Sequence, residues 1–491
     1  MISIGFEDKV SIGLQYALDT LHLCSPFGQE RVRRMHFYAP EERDALEAEL
    51  KNVERAARHA EPCRELYDKI MLVLCQLKDV RGSLKRLSEG ACLDHVELFE
   101  LKGFLLRISD LLPLFDRMRA ETQIEGIAFA DPDAALNVLD PERTRSRGFY
   151  IPDRATERLS LIRAEKKRLE QQLYETDDPQ QKDAIRTERV RVCAEEENEE
   201  RTVRTAMCEA LLSYVPDLQN NADALGRLDF LIQKALFAVR YGGVRPEITE
   251  SALALFDMTN PELVDLLKEK GRAFVPVSIE TDRGTTVITG ANMGGKSVAL
   301  KSVALNAFLF QAGFLVCARR ARLPMFHSIR MLFDDAQSIQ SGLSGFGSEI
   351  VRFNEALSEA KRGFSLLLLD EFARGTNPDE GAIIVQAVTR HLNGVDAISI
   401  LSTHYDGVAE FARAHYQIIG LKDVDPDAII RERAASGGDG VALIARHMNY
   451  GLYRVEGRSD CPKDALNICR MLSLDPAILK DVERSYGTKI P

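Results

Sequence analysis

Between about Ser11 and Arg240 the apolar positions are mostly leucines set among Glu and Arg, and β-branched runs are few. Only short punctuation such as Pro26-Phe-Gly28 and Ala130-Asp-Pro-Asp133 interrupts them. Leu, Glu and Arg favour helix and Pro or Gly clusters end it, so this stretch is predicted to be helical. Within it, Ala155 to about Ala206 is densely charged, with a sparse helical stripe of Leu159, Ile162, Leu169 and Leu173 and a break at Glu175-Thr-Asp-Asp-Pro179. A solvated helical hairpin is expected there. Its acids and bases nearly balance, which favours a projecting structural arm over one that grips DNA by charge.

The character changes at about Gly271. Thr285-Thr-Val-Ile-Thr289 reads as a buried strand, Val298–Phe308 has apolar residues at helical spacing, and Glu349–Lys361 is a second helical stretch. Phe364-Ser-Leu-Leu-Leu-Leu-Asp370 reads as a central strand closing on an acid, and Ala397–Ser402 as another strand. Alternation of this kind signals an α/β domain. A mixed segment containing the loop Ala435-Ser-Gly-Gly-Asp-Gly440 follows about Ala409, and helical patterning returns from Lys463. The expected fold class is therefore α and α/β. A helical region covers 1–270 with its arm at about 155–206, an α/β domain covers 271–430, and a C-terminal segment covers 431–491. Neither an internal repeat of about 20 to 50 residues nor a low-complexity tract is present.

The junction between the strand ending at Thr289 and the helix after it carries Gly290-Ala-Asn-Met-Gly-Gly-Lys296-Ser297, which fits Gly-x-x-x-x-Gly-Lys-Ser/Thr. Glycines at 290, 294 and 295 let backbone N–H groups turn inward on phosphate oxygens, and the helix start adds its positive end. Lys296 is then placed to reach the β- and γ-phosphates, and the Ser297 hydroxyl to ligate Mg2+. The motif implies a nucleotide, ATP or GTP. Asp370 and Glu371 follow a strand in the same domain. The first is expected to hold Mg2+, usually through water, and the second to polarise the attacking water. Thr403-His404 follows the next strand, which would bring His404 to the same carboxyl edge as a switch or phosphate sensor. Between these elements Gln337-Ser-Ile-Gln-Ser-Gly-Leu-Ser344-Gly-Phe-Gly-Ser348 is dense in Gly and Ser ahead of a helix. Such a loop can bind phosphate, complete a composite site in a dimer, or simply cap the helix.

Composition narrows the surroundings. With 64 Lys+Arg against 75 Asp+Glu the net charge is −11, so a DNA-binding role needs a local basic patch. The nine cysteines, at 24, 63, 75, 92, 193, 208, 317, 461 and 469, show no C-x-x-C pair or zinc spacing and read as reduced core thiols. The N-terminus Met-Ile-Ser-Ile-Gly-Phe-Glu-Asp-Lys lacks the charge pattern of a signal peptide, and no apolar run approaches about 18 residues. A soluble cytoplasmic protein without membrane partners is expected.

Taken in order, Thr289-Gly-Ala-Asn-Met-Gly-Gly-Lys-Ser297, Ser341-Gly-Leu-Ser-Gly-Phe346, Leu369-Asp-Glu-Phe-Ala-Arg-Gly-Thr376 and Ser402-Thr-His-Tyr405 resemble the MutS family of ABC-type ATPases, known from DNA mismatch repair. Asn292 and Met293 within the glycine loop, and Arg374-Gly-Thr after the acidic pair, are similar to MutS rather than to general transporter motifs. The resemblance implies an ATP- and Mg2+-dependent homodimer whose helical region acts as core and lever. It also implies that Phe274, in Phe274-Val-Pro-Val-Ser-Ile279, stacks on adenine, that Ser344 acts in trans on the partner subunit's nucleotide, and that Ala465-Leu-Asn-Ile-Cys-Arg470 belongs to dimerisation helices. Asp335-Ala-Gln-Ser-Ile339 and Gly375-Thr-Asn-Pro-Asp-Glu-Gly381 are closer to the second bacterial MutS branch than to the mismatch-sensing one.

Departures from the family pattern are specific. Val298 stands where Thr is usual, Ala291 replaces Pro, and Gly345 replaces the signature Thr. A mismatch-reading domain, a β-rich DNA clamp and a C-terminal nuclease domain are all expected to be missing. Two functions follow as expectations. The first is a DNA-associated ATPase of the repair or recombination type without its own mismatch reader. The alternative is an ATPase remodelling a protein partner, similar to the component proposed to reactivate cobalamin-dependent lysine 5,6-aminomutase.

Overall fold

The computed structural model describes every residue except 1, 3, 147, 291–294, 334–344, 422–423, 437–439, 457–464 and 490–491. Contacts divide the chain into two units, one of residues 22–34 and 58–233, the other of 1–21, 35–57 and 234–491.

The first unit is helical, and its helices begin where the sequence supplies caps. Ser25 accepts from Gly28 N at 3.0 Å ahead of Pro26–Arg33. Asp94 and Glu97 form a reciprocal capping box ahead of His95–Thr122. Such side chains replace the hydrogen bonds that the first turn of a helix cannot make internally. The arm is the pair Glu157–Glu175 and Pro179–Leu211, capped by Thr156 and Asp178. Leu159, Ile162 and Leu169 bury between its helices together with Val192 and Val203, so the sparse stripe is the seam of the hairpin. Part of the remaining charge is spent across that seam. Arg163 reaches Glu196 at 3.1 Å and Glu200 at 2.7 Å, and Arg189 reaches Glu170 at 3.0 Å.

The second unit holds two sheets. One has the order β1-β5-β2-β3, with β1 Glu247–Thr249, β2 Leu253–Met258, β3 Val277–Thr281 and β5 Arg320–Pro324. The other has the order β10-β9-β4-β8-β7-β6. Its strands are β4 Gly284–Thr289, β6 Ser328–Leu332, β7 Ser365–Asp370, β8 Ala397–Thr403, β9 Ala414–Gly420 and β10 Asn449–Arg454. The last is antiparallel to β9 and all other pairs in that sheet are parallel. Every residue of β4, β7 and β8 is buried, which is why these segments read as unbroken apolar or β-branched runs rather than alternating ones. Helix Lys296–Gln311 packs among them, buried around nearly its whole circumference. Helices Gly345–Ala360 and Pro378–Leu392 contribute to a cluster around Leu367, Leu369, Phe372 and Leu401.

This unit starts well before the change of character at Gly271. β2 pairs with β3 and β5 on either side, through Leu255↔Ile279 and Leu255↔Ala321. Tyr38 N donates to Gln311 O at 2.7 Å, and the buried Lys234 ammonium reaches Glu49 at 2.8 Å. Segments distant in sequence are thus bonded into the α/β unit, a pairing that no local pattern announces.

Candidate nucleotide-binding site

The three predicted motifs meet at one edge. Strands β4, β8 and β7 are adjacent and parallel, with Thr289 opposite Thr403 and Ser402 opposite Asp370. The glycine loop, His404 and the acidic pair therefore all leave the sheet at neighbouring carboxyl ends, where open α/β sheets place their ligands.

Both described ends of the glycine loop require glycine. Gly290 has φ 149°, and a Cβ there would lie 2.9 Å from Ile418 Cβ. Gly295 caps the following helix in the left-handed region at φ 89°, and a Cβ there would lie 2.9 Å from Tyr450 Cδ1. Lys296 is 3 % exposed; its ammonium donates to Gly290 O at 2.7 Å and stands 3.6 Å from Glu371 Oε1. A buried cation held by one carbonyl and one carboxylate, beneath a helix start, is the donor set that an incoming polyphosphate needs. The half-buried Ser297 follows in the first turn.

One hydroxyl organises the two acids. Ser402 Oγ donates to Asp370 Oδ1 and accepts from Glu371 N at 3.0 Å. Glu371 adopts φ 47° and Ala373 φ 64°, left-handed conformations that cost a non-glycine residue on the order of 1 kcal/mol or more. The turn is held in this shape from outside. Ala373 N donates to both oxygens of Glu349 at 3.2 Å, Tyr405 Oη donates to Ala373 O at 3.0 Å, and Arg374 reaches Glu371 Oε2 at 2.9 Å. Gly381 lets Tyr405 in, since a Cβ there would lie 2.4 Å from the phenol oxygen. Strain maintained by this many contacts is of the kind that clusters at functional turns.

His404 leaves much of its ring exposed, but packing against Tyr405 removes enough water to lower its pKa, and Lys296 and Arg374 push the same way against Glu371. Beneath the loop, buried Thr289 and His415 share a 2.8 Å hydrogen bond, and burial likewise lowers the His415 pKa.

Phe274 is half-buried on a cavity of about 460 Å³ that also touches Gly295, Val298, Leu263, Leu267 and Tyr450. The sequence pointed to Phe274 alone. Tyr450 is the aromatic residue it missed, lying in β10 more than 150 positions downstream. The alternation in Asn449-Tyr-Gly-Leu-Tyr-Arg454 signals an edge strand but not where that strand pairs. Asn292, Met293, Gly294 and Ser344 lie outside the described residues.

Residues 286–457 match the family model for MutS domain V. Endonuclease MutS2 of Streptococcus agalactiae serotype Ia is 28% identical over 348 residues, 69% of this chain and 42% of the relative. The same figures hold for endonuclease MutS2 of Streptococcus pyogenes serotype M49. The Streptococcus thermophilus protein of that name is 26% identical over 454 residues, 90% of this chain and 51% of its own length. The chain is thus similar to MutS domain V over residues 286–457 and to the MutS2 relatives over most of its length. It spans about half the length of the curated relatives it matches. The MutS domain V match opens inside β4 and takes in the glycine loop, both acids, His404 and Tyr450, whereas Phe274 and the 261–269 helix precede it. Among the described residues no group of three or more His, Cys, Asp or Glu is arranged to hold a metal by itself, and no helix is long and apolar enough to cross a membrane.

Proposed function

We propose that this chain is a MutS-family ATPase that binds Mg2+-ATP at the β4-β8-β7 edge, works as a homodimer, and couples hydrolysis to its helical region on DNA. What carries the reading is the convergence at one sheet edge of the buried Lys296, the strained and tethered Glu371, and a cavity of base size walled by Phe274 and Tyr450. Adenine stacks between the two aromatic rings. Lys296 exchanges its bond to Gly290 O for a phosphate oxygen, which frees Glu371 to orient and deprotonate the attacking water. Ser297 and Asp370 would hold Mg2+, Asp370 being aimed by Ser402, and the ion would there supply neutralisation of charge on the phosphates. His404, kept neutral by partial burial, donates a hydrogen bond to the terminal phosphate. Ser344 of the partner subunit completes the site in trans. We further propose a soluble, cytoplasmic setting.

The association with DNA rests on the similarity to MutS domain V and on the MutS2 names of the relatives. Charge gives it little help, because so much of the basic character of the arm is paired with acids on the arm itself. ATPase turnover measured with and without duplex, branched and single-stranded DNA tests it. At least one DNA should stimulate turnover, with a steep dependence on salt. Turnover indifferent to all three, with no gel shift at low salt in ATP or a non-hydrolysable analogue, would overturn the DNA reading and leave a protein partner as the load.

A further inference from the structure

Helix Pro261–Glu269 has two differently occupied faces. Leu263 and Leu267 are one turn apart and line the cavity shared with Phe274 and Tyr450. Asp265 falls on the opposite side, where a single carboxylate oxygen, Oδ2, accepts three hydrogen bonds. Tyr16 Oη donates at 2.7 Å, Tyr241 Oη at 2.7 Å and Arg240 Nη2 at 2.8 Å. The start of the helix is fixed to the same neighbourhood, since the buried Asn260 at its N-cap donates to Ile12 O at 3.1 Å. Gly13 permits that approach. It sits at φ 82°, and a Cβ there would lie 3.0 Å from both Asn260 Oδ1 and Glu262 Oε2.

An exposed ion pair between Arg240 and Asp265 would by itself mean little. Two phenols converging on the same oxygen make a different object, a charge-assisted clasp that joins helix Leu14–Asp19 and the last turn of Val215–Tyr241 to the back of the cavity wall. Together with the N-cap, this clasp opposes outward movement of Leu263 and Leu267. Leu266, next to them on the cavity, is already substantially exposed.

We infer that Asp265 is a positioning residue for the base cavity, holding the 261–269 helix so that Leu263 and Leu267 close on the nucleotide without Asp265 itself touching it. This rests on the cavity being the base site proposed above. Affinity for the base part of the nucleotide then depends on the clasp, while affinity for the phosphates, which meet the glycine loop, does not. Because linkage is reciprocal, an occupied cavity tightens the clasp and fixes the end of the helix that carries Arg240 and Tyr241.

The test compares ADP with inorganic tripolyphosphate as calorimetric probes of the full chain. Asp265→Ala should weaken ADP about tenfold, and Tyr16→Phe or Tyr241→Phe about threefold each, as expected for losing part of a charge-assisted network. Tripolyphosphate affinity should hold within about a factor of two, and the KM for ATP should rise while kcat at saturation is kept. Asp265→Asn, which retains an acceptor, should recover part of the loss. Unchanged ADP affinity in Asp265→Ala, or an equal loss for tripolyphosphate, would overturn the inference while leaving the nucleotide reading intact. Should Asp265→Ala fail to fold, the two Phe variants decide by the same criterion. A wild-type chain that binds neither probe overturns both.

Discussion

The sheet edge and the helical arm are both rich in charge, and they spend it in opposite ways. At the edge, Lys296 and Asp370 are 3 % and 9 % exposed, and their shortest bonds are to the neutral Gly290 O and Ser402 Oγ, the Lys296–Glu371 pair standing longer at 3.6 Å. In the arm, Arg163, Lys166 and Arg189 bond to Glu196, Glu200 and Glu170 across the seam, and Tyr174 at its tip is 91 % exposed. A charge held by dipoles keeps its capacity for an incoming ion, whereas a charge held by its opposite has largely used it. Chemistry can therefore be read at the edge from the chain alone. The arm declares how it holds together, and its partner must be found by experiment.

The largest effect is expected from Lys296→Ala. It leaves Glu371 without its buried counter-charge and the loop without a phosphate ligand, so nucleotide binding measured by calorimetry should be lost. Retained affinity would show that the buried cation is merely structural. Next in size is Ser402→Ala, which removes a single hydroxyl but takes a hydrogen bond from the Asp370 carboxylate and from the Glu371 backbone. Losing aim at two groups should lower turnover by about tenfold or more with little change in ATP affinity. An unaltered kcat would mean that strand register alone positions Asp370 and Glu371.

The third prediction concerns pH. His404 and His415 both have pKa values below the ordinary 6.5, chiefly through burial. A histidine of this kind takes up its proton more readily when unfolded. Its contribution to stability is therefore complete above pH 6.5 and is lost as pH falls from there toward the lowered folded value. Thermal midpoints should decline below about pH 6.5, less steeply in His415→Gln. A midpoint that rises on acidification would contradict the assignment of both rings as neutral. The smallest effect is expected in the arm. Arg163→Ala should cost about 1 kcal/mol of stability and leave basal ATPase turnover unchanged. A loss of turnover comparable to that of Ser402→Ala would erase the contrast between the two regions.

How much of this was legible in the sequence follows the same division between local and distant bonding. β4, β7 and β8 announced themselves because strands buried on both faces are written as continuous apolar runs, and the acid at the end of β7 marked the edge. The arm's seam was visible in Leu159, Ile162 and Leu169, since helical spacing is a local property. The partners that aim the site were not visible. Ser402 reaches Asp370 and Glu371 from the next strand, Glu349 holds the turn at Ala373 from another helix, and Tyr450 closes on Gly295 from an antiparallel edge strand. The extent of the α/β unit was hidden likewise, because β2 lies before Gly271 and its pairing with β3 and β5 appears only when the chain folds back.

On the proposed mechanism Glu371, strained and tethered at the carboxyl edge, activates water against bound ATP. Steady-state turnover and equilibrium ATP binding of wild type and Glu371→Gln, measured side by side with Mg2+ present, test it most directly. The variant should bind ATP with near wild-type affinity and turn it over about 100-fold to 10,000-fold more slowly, the span expected for losing a general base. Wild-type turnover in Glu371→Gln, or loss of ATP binding in step with turnover, would contradict it.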